Sequence, residues 1–408
     1  MVSKYTLAVV AVTGLIRILL VFLFPGLQRV ADQSVEFSTP VTSYKSLLEG
    51  IFLLKRVGTV IDIYDGGVVH QTPLLIAFFQ QIQPRYHYLI FILFDCLIAA
   101  QLLTLTRRVN HTFNFINVGV WLPSLIHAIN PIAMVSCISN SSIIFTNWAI
   151  LNALIHAVGG NVLGGAFFLA LSGYLSLYPI MLFIPLLNLM YQTGSAKAKR
   201  FIPLFFEFFS ALVLFCQLLL YISYKINDDS WSFMEATYGV RINFADVKPN
   251  LGLWWYFFIE MFDEFIPFFK AVFNLFVICF VFPITLRFHN QPLYAFLSCM
   301  GWICLTKPYP TLGDMVLWMS LLTLTQPFAE YMRYKMVSML LYLHAVLLSP
   351  IFYHLWVDLG SGNSNFFYAI SLLYCLAVGA ILTDLIWSML RYEYDSGRPD
   401  FSLKLVQL

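Results

Sequence analysis

Apolar stretches recur along almost the whole chain, separated by short polar or proline-containing breaks. A helix needs about 20 mainly apolar residues to cross the hydrocarbon of a bilayer. The pattern predicts about twelve such helices, near 5–24, 86–106, 116–136, 141–158, 162–178, 179–191, 202–224, 266–286, 291–306, 312–328, 336–355 and 366–390. The pair on either side of Ser176-Leu177-Tyr178-Pro179 forms one continuous apolar stretch, which the proline must split into two short helices. The first run is longer than the core of a cleaved signal peptide. No small-x-small site follows it at Phe24-Pro25-Gly26-Leu27, so a retained span is expected.

Three segments have a different rhythm. In 43–57 (SYKSLLEGIFLLKRV) apolar residues fall at helical spacing but are interrupted by Lys45, Glu49, Lys55 and Arg56. It is too short and too charged to span, and an amphipathic helix at the membrane surface is expected. A second is expected at 73–83 (PLLIAFFQQIQ). The stretch 250–265 sets Trp254, Trp255, Tyr256 and Phe257 beside Glu260, Asp263 and Glu264, a composition suited to headgroup level.

Basic residues then set the orientation, because Lys and Arg in short loops stay cytosolic. In the twelve-span arrangement Lys4, Arg107, Arg108, Lys197, Lys199, Arg200, Arg287, Arg333, Lys335, Arg391, Arg398 and Lys404 share one side. Both termini are therefore expected in the cytosol, with a tail at 391–408. The longer loops, 25–85 and 225–265, are expected in the lumen, and the whole of 1–408 forms one membrane-embedded domain. The sequons at Asn110 and Asn140 are cytosolic and tucked against a span, respectively, so neither should be glycosylated.

Composition narrows the class further. The chain is 60% hydrophobic and 11% charged, against about a quarter charged in soluble domains. The expected fold is all-α and polytopic. A net charge of +2 with scattered basic residues excludes a nucleic-acid surface. The seven cysteines lie in or beside apolar segments without CxxC spacing and read as buried small hydrophobes.

No phosphate-cradling glycine loop, HExxH, GxSxG or metal-spaced Cys/His set is present. Two carboxylates of the first luminal loop, Asp32 and Glu36, could serve a membrane glycosyltransferase, although a solvated loop charge is the plainer role for each. Ionisable residues at membrane depth are costly and hence functional candidates. Arg17, Asp95, Glu207, Asp314 and Asp384 qualify, either in function or as pairs between helices. Asp314 opens a helix after Lys307-Pro308-Tyr309-Pro310, where capping alone would account for it. His70 follows a Gly66-Gly67 turn and could meet a sugar or phosphate, or simply be solvated. Asn363, Ser364 and Asn365, followed by Phe366, precede the last span, where amides and hydroxyls serve as caps or ligand contacts.

Seven blocks carry a resemblance, in order, over nearly the whole chain: TPVTSYKSLLEG (39–50), YDGGVVHQTPL (64–74), NPIAMVSCIS (130–139), YLSLYPIMLFIP (174–185), PNLGLWWYFFIEMF (249–262), KPYPTLGDMVLWM (307–319) and HLWVDLGSGNSNFFYAISL (354–372). In these the sequence resembles the PIG-U family, the multispanning subunit of the GPI-anchor transamidase. The resemblance implies an endoplasmic reticulum complex that removes a C-terminal signal from a precursor and joins the new carboxyl end to the ethanolamine of a GPI lipid. It implies a non-catalytic chain without cofactor, whose partners are the other subunits, including a Cys-protease-like catalytic one, and the GPI lipid. Asn363, Ser364, Asn365, Phe366, His70 and Asp314 are then the candidate GPI contacts. The family is similar in architecture to GT-C glycosyltransferases, but their adjacent acidic pair is missing from the first luminal loop. The alternative expectation is a dolichol-phosphate-mannose-dependent mannosyltransferase using Asp32 or Glu36.

Overall fold

The computed structural model describes residues 4–56, 63–113, 115–193 and 200–396. The expectations that fell on Val57, Lys197, Lys199, Arg398 and Lys404 lie outside the described residues. The chain is all-helical, with no strand among the described residues. Its first half runs through α1 (Lys4–Leu23), α2 (Leu27–Gln33), α3 (Tyr44–Arg56), α4 (Pro73–Gln80), α5 (His87–Thr112), α6 (Leu122–Ile129), α7 (Pro131–Ile138), α8 (Ile143–Val158), α9 (Val162–Ser176) and α10 (Phe183–Thr193). The second half has α11 (Phe201–Ile226), α12 (Ser232–Met234), α13 (Val240–Asn243), α14 (Trp255–Glu260), α15 (Ile266–Cys279), α16 (Val281–Arg287), α17 (Pro292–Thr306), α18 (Leu312–Leu322), α19 (Lys335–Tyr353) and α20 (Ser364–Tyr394).

Among the described residues, six helical stretches are long and apolar enough to cross a membrane: Tyr5–Leu23, Pro84–Thr112, Phe201–Ile226, Asp263–Arg287, Lys335–Asp358 and Ser364–Tyr394. Ile143–Val158, Val162–Ser176 and Pro292–Thr306 are shorter and equally apolar. About twelve long helices were expected, and the structure differs for a physical reason. The expected span 116–136 is two helices of eight residues, because Pro131 has no N–H to continue the first. The stretch 312–328 stays α-helical only to Leu322 and tightens into a 3-10 turn that contains Pro327. The split at Pro179 falls where the sequence placed it, with Leu177 at φ +64.

The most buried helices are short ones. The short helices α8 and α17 are buried along almost their whole length, and α18 sits with them at the centre. Four of the long stretches, beginning at Tyr5, Phe201, Asp263 and Lys335, form the perimeter. They turn large apolar side chains outward, among them Leu15, Leu214, Leu275 and Leu343, and bury polar ones such as Thr13 and Ser338. This inside-out distribution suits hydrocarbon, where apolar side chains lose nothing by facing out but backbone polar groups must be satisfied inside the protein.

Helix ends within this core are therefore completed by side chains from other helices. Pro131 cannot donate to the His127 carbonyl, and the Ile132 N–H is taken by the Asn130 side chain at 2.9 Å, so the carbonyls of His127 and Ala128 lose their helical donors. Arg17 of α1 supplies both: Nη2 donates to His127 O at 3.2 Å and Nη1 to Ala128 O. Its Nε donates to Asp95 of α5 at 2.6 Å, and Asp95 also meets His127 Nε2 at 2.8 Å. The same solution recurs at Pro179, which leaves Leu175 O without a donor. Arg241 Nη2 reaches that oxygen at 3.2 Å, while Tyr238 OH donates to Tyr174 O at 2.6 Å. At the start of α19 the roles invert, and Asp384 of α20 accepts the N–H groups of Arg333 and Tyr334, each at 2.9 Å.

The loops 34–43 and 63–72 lie on one face with residues 235–254. Thr42 O accepts Ser142 N at the start of α8, and Glu36 O accepts Leu312 N at the start of α18. The helices α3 and α4, expected at the membrane surface, pack close together. A Cβ on Gly50 would meet Ile76 at 2.9 Å, and Leu47 and Ile51 are buried in the main core. The expected surface segment 250–265 is helical only at Trp255–Glu260 and in a short 3-10 turn after Phe262.

Removing Arg17 alone leaves the buried Asp95 charge with only His127 as partner, and breaking a buried ion pair in this way should cost about 3–5 kcal/mol. In thermal unfolding of the detergent-solubilised protein, Arg17→Met should therefore be strongly destabilised. Arg17→Met/Asp95→Leu should recover only part of the loss, since two carbonyls stay unpaired. Full recovery in the double variant would show that the ion pair, and not the carbonyls, is what Arg17 serves.

Candidate lipid-binding site

The start of α20 is assembled from residues far apart in sequence. Gly360 at φ +64 turns the chain, and the N–H groups of Ser361 and Gly362 both donate to Leu355 O at 3.0 Å, folding the loop back over the end of α19. Asn363 is the N-cap, its side chain accepting Phe366 N–H at 3.1 Å. Tyr256 OH donates to Asn365 Oδ1, and the Tyr256 ring stacks on Tyr368 at 4.5 Å with 13° between planes. Tyr368 OH in turn donates to Leu253 O at 3.0 Å. Trp255 is buried against Trp356, Phe367 and Tyr368. Further along, Ser371 Oγ donates to Asn250 O at 3.0 Å and Trp254 Nε1 to Thr306 O at 2.6 Å, so 250–256 is clamped across α17 and α20.

Asn365 thus has its carbonyl oxygen held while its NH2 group donates to no protein atom among the described residues. Asn363, Asn365 and Phe366 are exposed and Ser364 is half-buried.

Directly beneath lies a groove of about 760 Å³ between α17, α19 and α20. Leu253, whose carbonyl anchors Tyr368, forms its upper wall, and Leu372, one helical turn below Tyr368, begins its floor. From Leu372 the floor continues through Leu376 and Gly379 to Trp387. That is about 22 Å of helix rise, most of the hydrocarbon thickness. At the far end Arg333 lies 4.3 Å over the Trp387 ring, beside Asp384. A long apolar trough topped by an amide donor and stacked tyrosines can take hydrocarbon chains below and hydroxyl or phosphate oxygens above.

None of the six candidate contacts lines the groove itself: Asn363, Ser364, Asn365 and Phe366 lie above it, Asn365 about 10 Å of helix rise from Leu372, and His70 and Asp314 lie elsewhere. His70, for which a solvated loop position was the plainer expectation, is 2% exposed. Its Nδ1 is 2.8 Å from Ala236 O and its Nε2 3.5 Å from Asp246. Asp314 closes a capping box with Thr311, accepting its N–H at 2.8 Å, and forms an ion pair with Lys307. Sequence reading placed Tyr256 in an aromatic segment but had no signal that it would meet Asn365, 109 positions away. Arg333 and Trp387 were missed as a pair for the same reason.

Asp32 and Glu36 are also not the solvated charges expected. Glu36 is 2% exposed, with Ser34 and Ser349 both donating to its carboxylate. Asp32 accepts the Tyr44 N–H at the start of α3 at 3.0 Å and Ser38 Oγ at 3.3 Å. Burial pushes its pKa above the usual aspartate value despite those bonds, and burial together with the nearby Asp32 charge pushes the Tyr44 phenol up to about 12.

A family model described as GPI transamidase subunit PIG-U matches residues 11–374. The chain is 53% identical over 396 residues to GPI transamidase component GAB1 of Saccharomyces cerevisiae, covering 96% of each. It is 30% identical over 397 residues to GPI-anchor transamidase component PIGU of Homo sapiens, covering 90% of each. It is also 30% identical over 389 residues to the GPI transamidase component GAB1 homolog of Schizosaccharomyces pombe, covering 91% of each.

Asp32 offers a test of how its loop is held. A carboxyl whose pKa is raised by folding is favoured when neutral, so its contribution is fully present below the unfolded aspartate pKa. That contribution is lost as pH rises through the folded value. Asp32→Asn keeps an acceptor for Tyr44 without the charge. In thermal unfolding it should be more stable than the parent at pH 7.5 and lose that advantage near pH 3.

Proposed function

The chain belongs to the PIG-U family of GPI transamidase subunits, and from that membership we propose that it is a non-catalytic subunit holding the GPI lipid for the transfer. The named relatives are components of that complex, so this chain's partners are its other subunits. The observation that carries the lipid role is the groove along α20, with the Asn365 amide on the same helix about 10 Å above its upper end. The acyl chains lie against Leu372 and Leu376, and phosphate or sugar oxygens of the headgroup accept from Asn365, with Ser364 and Phe366 alongside. Asn363 shapes the helix start, while His70 and Asp314 hold the surrounding loops in place.

In this arrangement the head of the groove faces the lumen of the endoplasmic reticulum and both termini face the cytosol. The short helices α6 with α7, and α18 with its 3-10 extension, complete crossings together, giving about twelve in a GT-C-like layout. Catalysis falls to a Cys-protease-like subunit. The groove's thiol, Cys375, is engaged with Leu251 O at 3.4 Å and has no histidine among the groove's lining residues. The mannosyltransferase alternative gains no support, since Asp32 and Glu36 are turned inward onto their own loop and helix ends.

Asn365→Leu removes the donor and should weaken GPI interaction by about 1–3 kcal/mol, or five- to a hundredfold. Complex recovery and GPI attachment, measured in the same cells, should show normal assembly with impaired attachment. Asn363→Leu should instead cost about 1 kcal/mol of helix capping and lower recovery and attachment together. Equal parallel losses in both variants would reduce Asn365 to a structural role.

A further inference from the structure

Outside the groove, α11 carries a second feature that lipid alone does not explain. Its inner side buries Leu204, Phe208, Ala211 and Leu219, packing on α9, α10 and α4. Its outer side presents Glu207, Ser210, Leu214, Gln217 and Tyr221, the alternating three- and four-residue spacing of a helix-packing seam. Ser210, Leu214, Gln217 and Tyr221 are exposed. A second groove of about 660 Å³ follows Glu207, Ser210, Leu214 and Gln217, with Leu163 of α9 on its other side.

Depth makes the seam unusual. Arg200 and Lys225 flank α11 and place its ends at the two interfaces. With the helix centred on the hydrocarbon, Ser210 and Gln217 each lie roughly 5 Å from the bilayer midplane, about 10 Å short of water. The carboxamide of Gln217 makes no hydrogen bond within the chain among the described residues, and acyl chains offer it none. A side chain with two donors and an acceptor, exposed at that depth, calls for a polar partner from another helix.

We infer that the Ser210–Leu214–Gln217 seam of α11 docks a transmembrane helix of another subunit of the transamidase complex, with a side-chain hydrogen bond to Gln217. The inference rests on family membership and not on the lipid-holding role, so either can fail without the other. A second copy of this chain suits the seam poorly. Two copies in one membrane run parallel, and two-fold packing along this stripe would set Glu207 against Glu207 at bilayer depth.

Gln217→Leu in the full chain tests this, because leucine suits lipid better than glutamine and lowers the cost of inserting α11. If the face meets only lipid, the variant assembles as well as the parent or better. If it docks a helix, the ratio of co-purified transamidase subunits to this chain should fall about three- to twentyfold, as expected for losing one interhelical hydrogen bond. A photoreactive side chain replacing Leu214 provides an independent reading that leaves Gln217 in place. It should form an adduct with a membrane-spanning subunit of the purified complex. An unchanged subunit ratio in Gln217→Leu, or a probe that labels only lipid or a second copy of this chain, overturns the inference.

Discussion

A backbone carbonyl freed by a proline has nowhere to turn inside a hydrocarbon layer except to another part of the same protein. This constraint organises the fold around two arginines. Pro131 and Pro179 each end a helix early and leave carbonyls without their i+4 donors. Arg17 reaches from α1 to the first break and Arg241 from α13 to the second. Each guanidinium carries several donors in a fixed fork, so one side chain can serve two acceptors at once. Since α1 turns most of its surface outward, its tie through Arg17 to α5 and α6 sets its register. Carboxylates do the converse work at helix starts: Asp384 for α19, Asp314 for α18 and Asp32 for α3.

This division of labour explains which parts of the structure were legible in the sequence. Hydrophobic run length identified every long helix, and the Ser176–Pro179 break was legible because a proline inside an apolar run has one consequence. The charges were harder. Arg17, Asp95 and Asp384 stood out as expensive residues at membrane depth, yet nothing in their spacing says that Arg17 and Asp384 serve backbone groups about 50 to 110 residues away, or that Asp95 meets Arg17 and His127. Asp32 and Glu36 looked like loop charges because local sequence cannot show that a loop is folded inward over helix ends. That several expected spans are short helices buried by protein was not legible, since hydropathy measures apolar character and does not distinguish lipid from protein as the surrounding medium.

The candidate site depends on the same scaffold. Asn250, Leu251 and Leu253 hold the aromatic segment to α20 through their carbonyls, which fixes Tyr256 against Asn365 and opens the groove below. Sequence marked Asn363 to Phe366 as a polar cluster before a span, but the trough beneath it is formed by helices from three separate regions and has no local signature. Polar groups above an apolar channel match a lipid with a large headgroup, and membership of the PIG-U family supplies the lipid's identity for the proposal.

In the proposed arrangement the GPI lipid contacts this chain along α20. A structure of the assembled complex with bound GPI measures that directly. Acyl-chain density is expected in the groove against Leu372 and Leu376, with a headgroup oxygen within hydrogen-bonding distance of the Asn365 amide. GPI bound elsewhere in an intact complex, or a partner helix filling the groove, would contradict it.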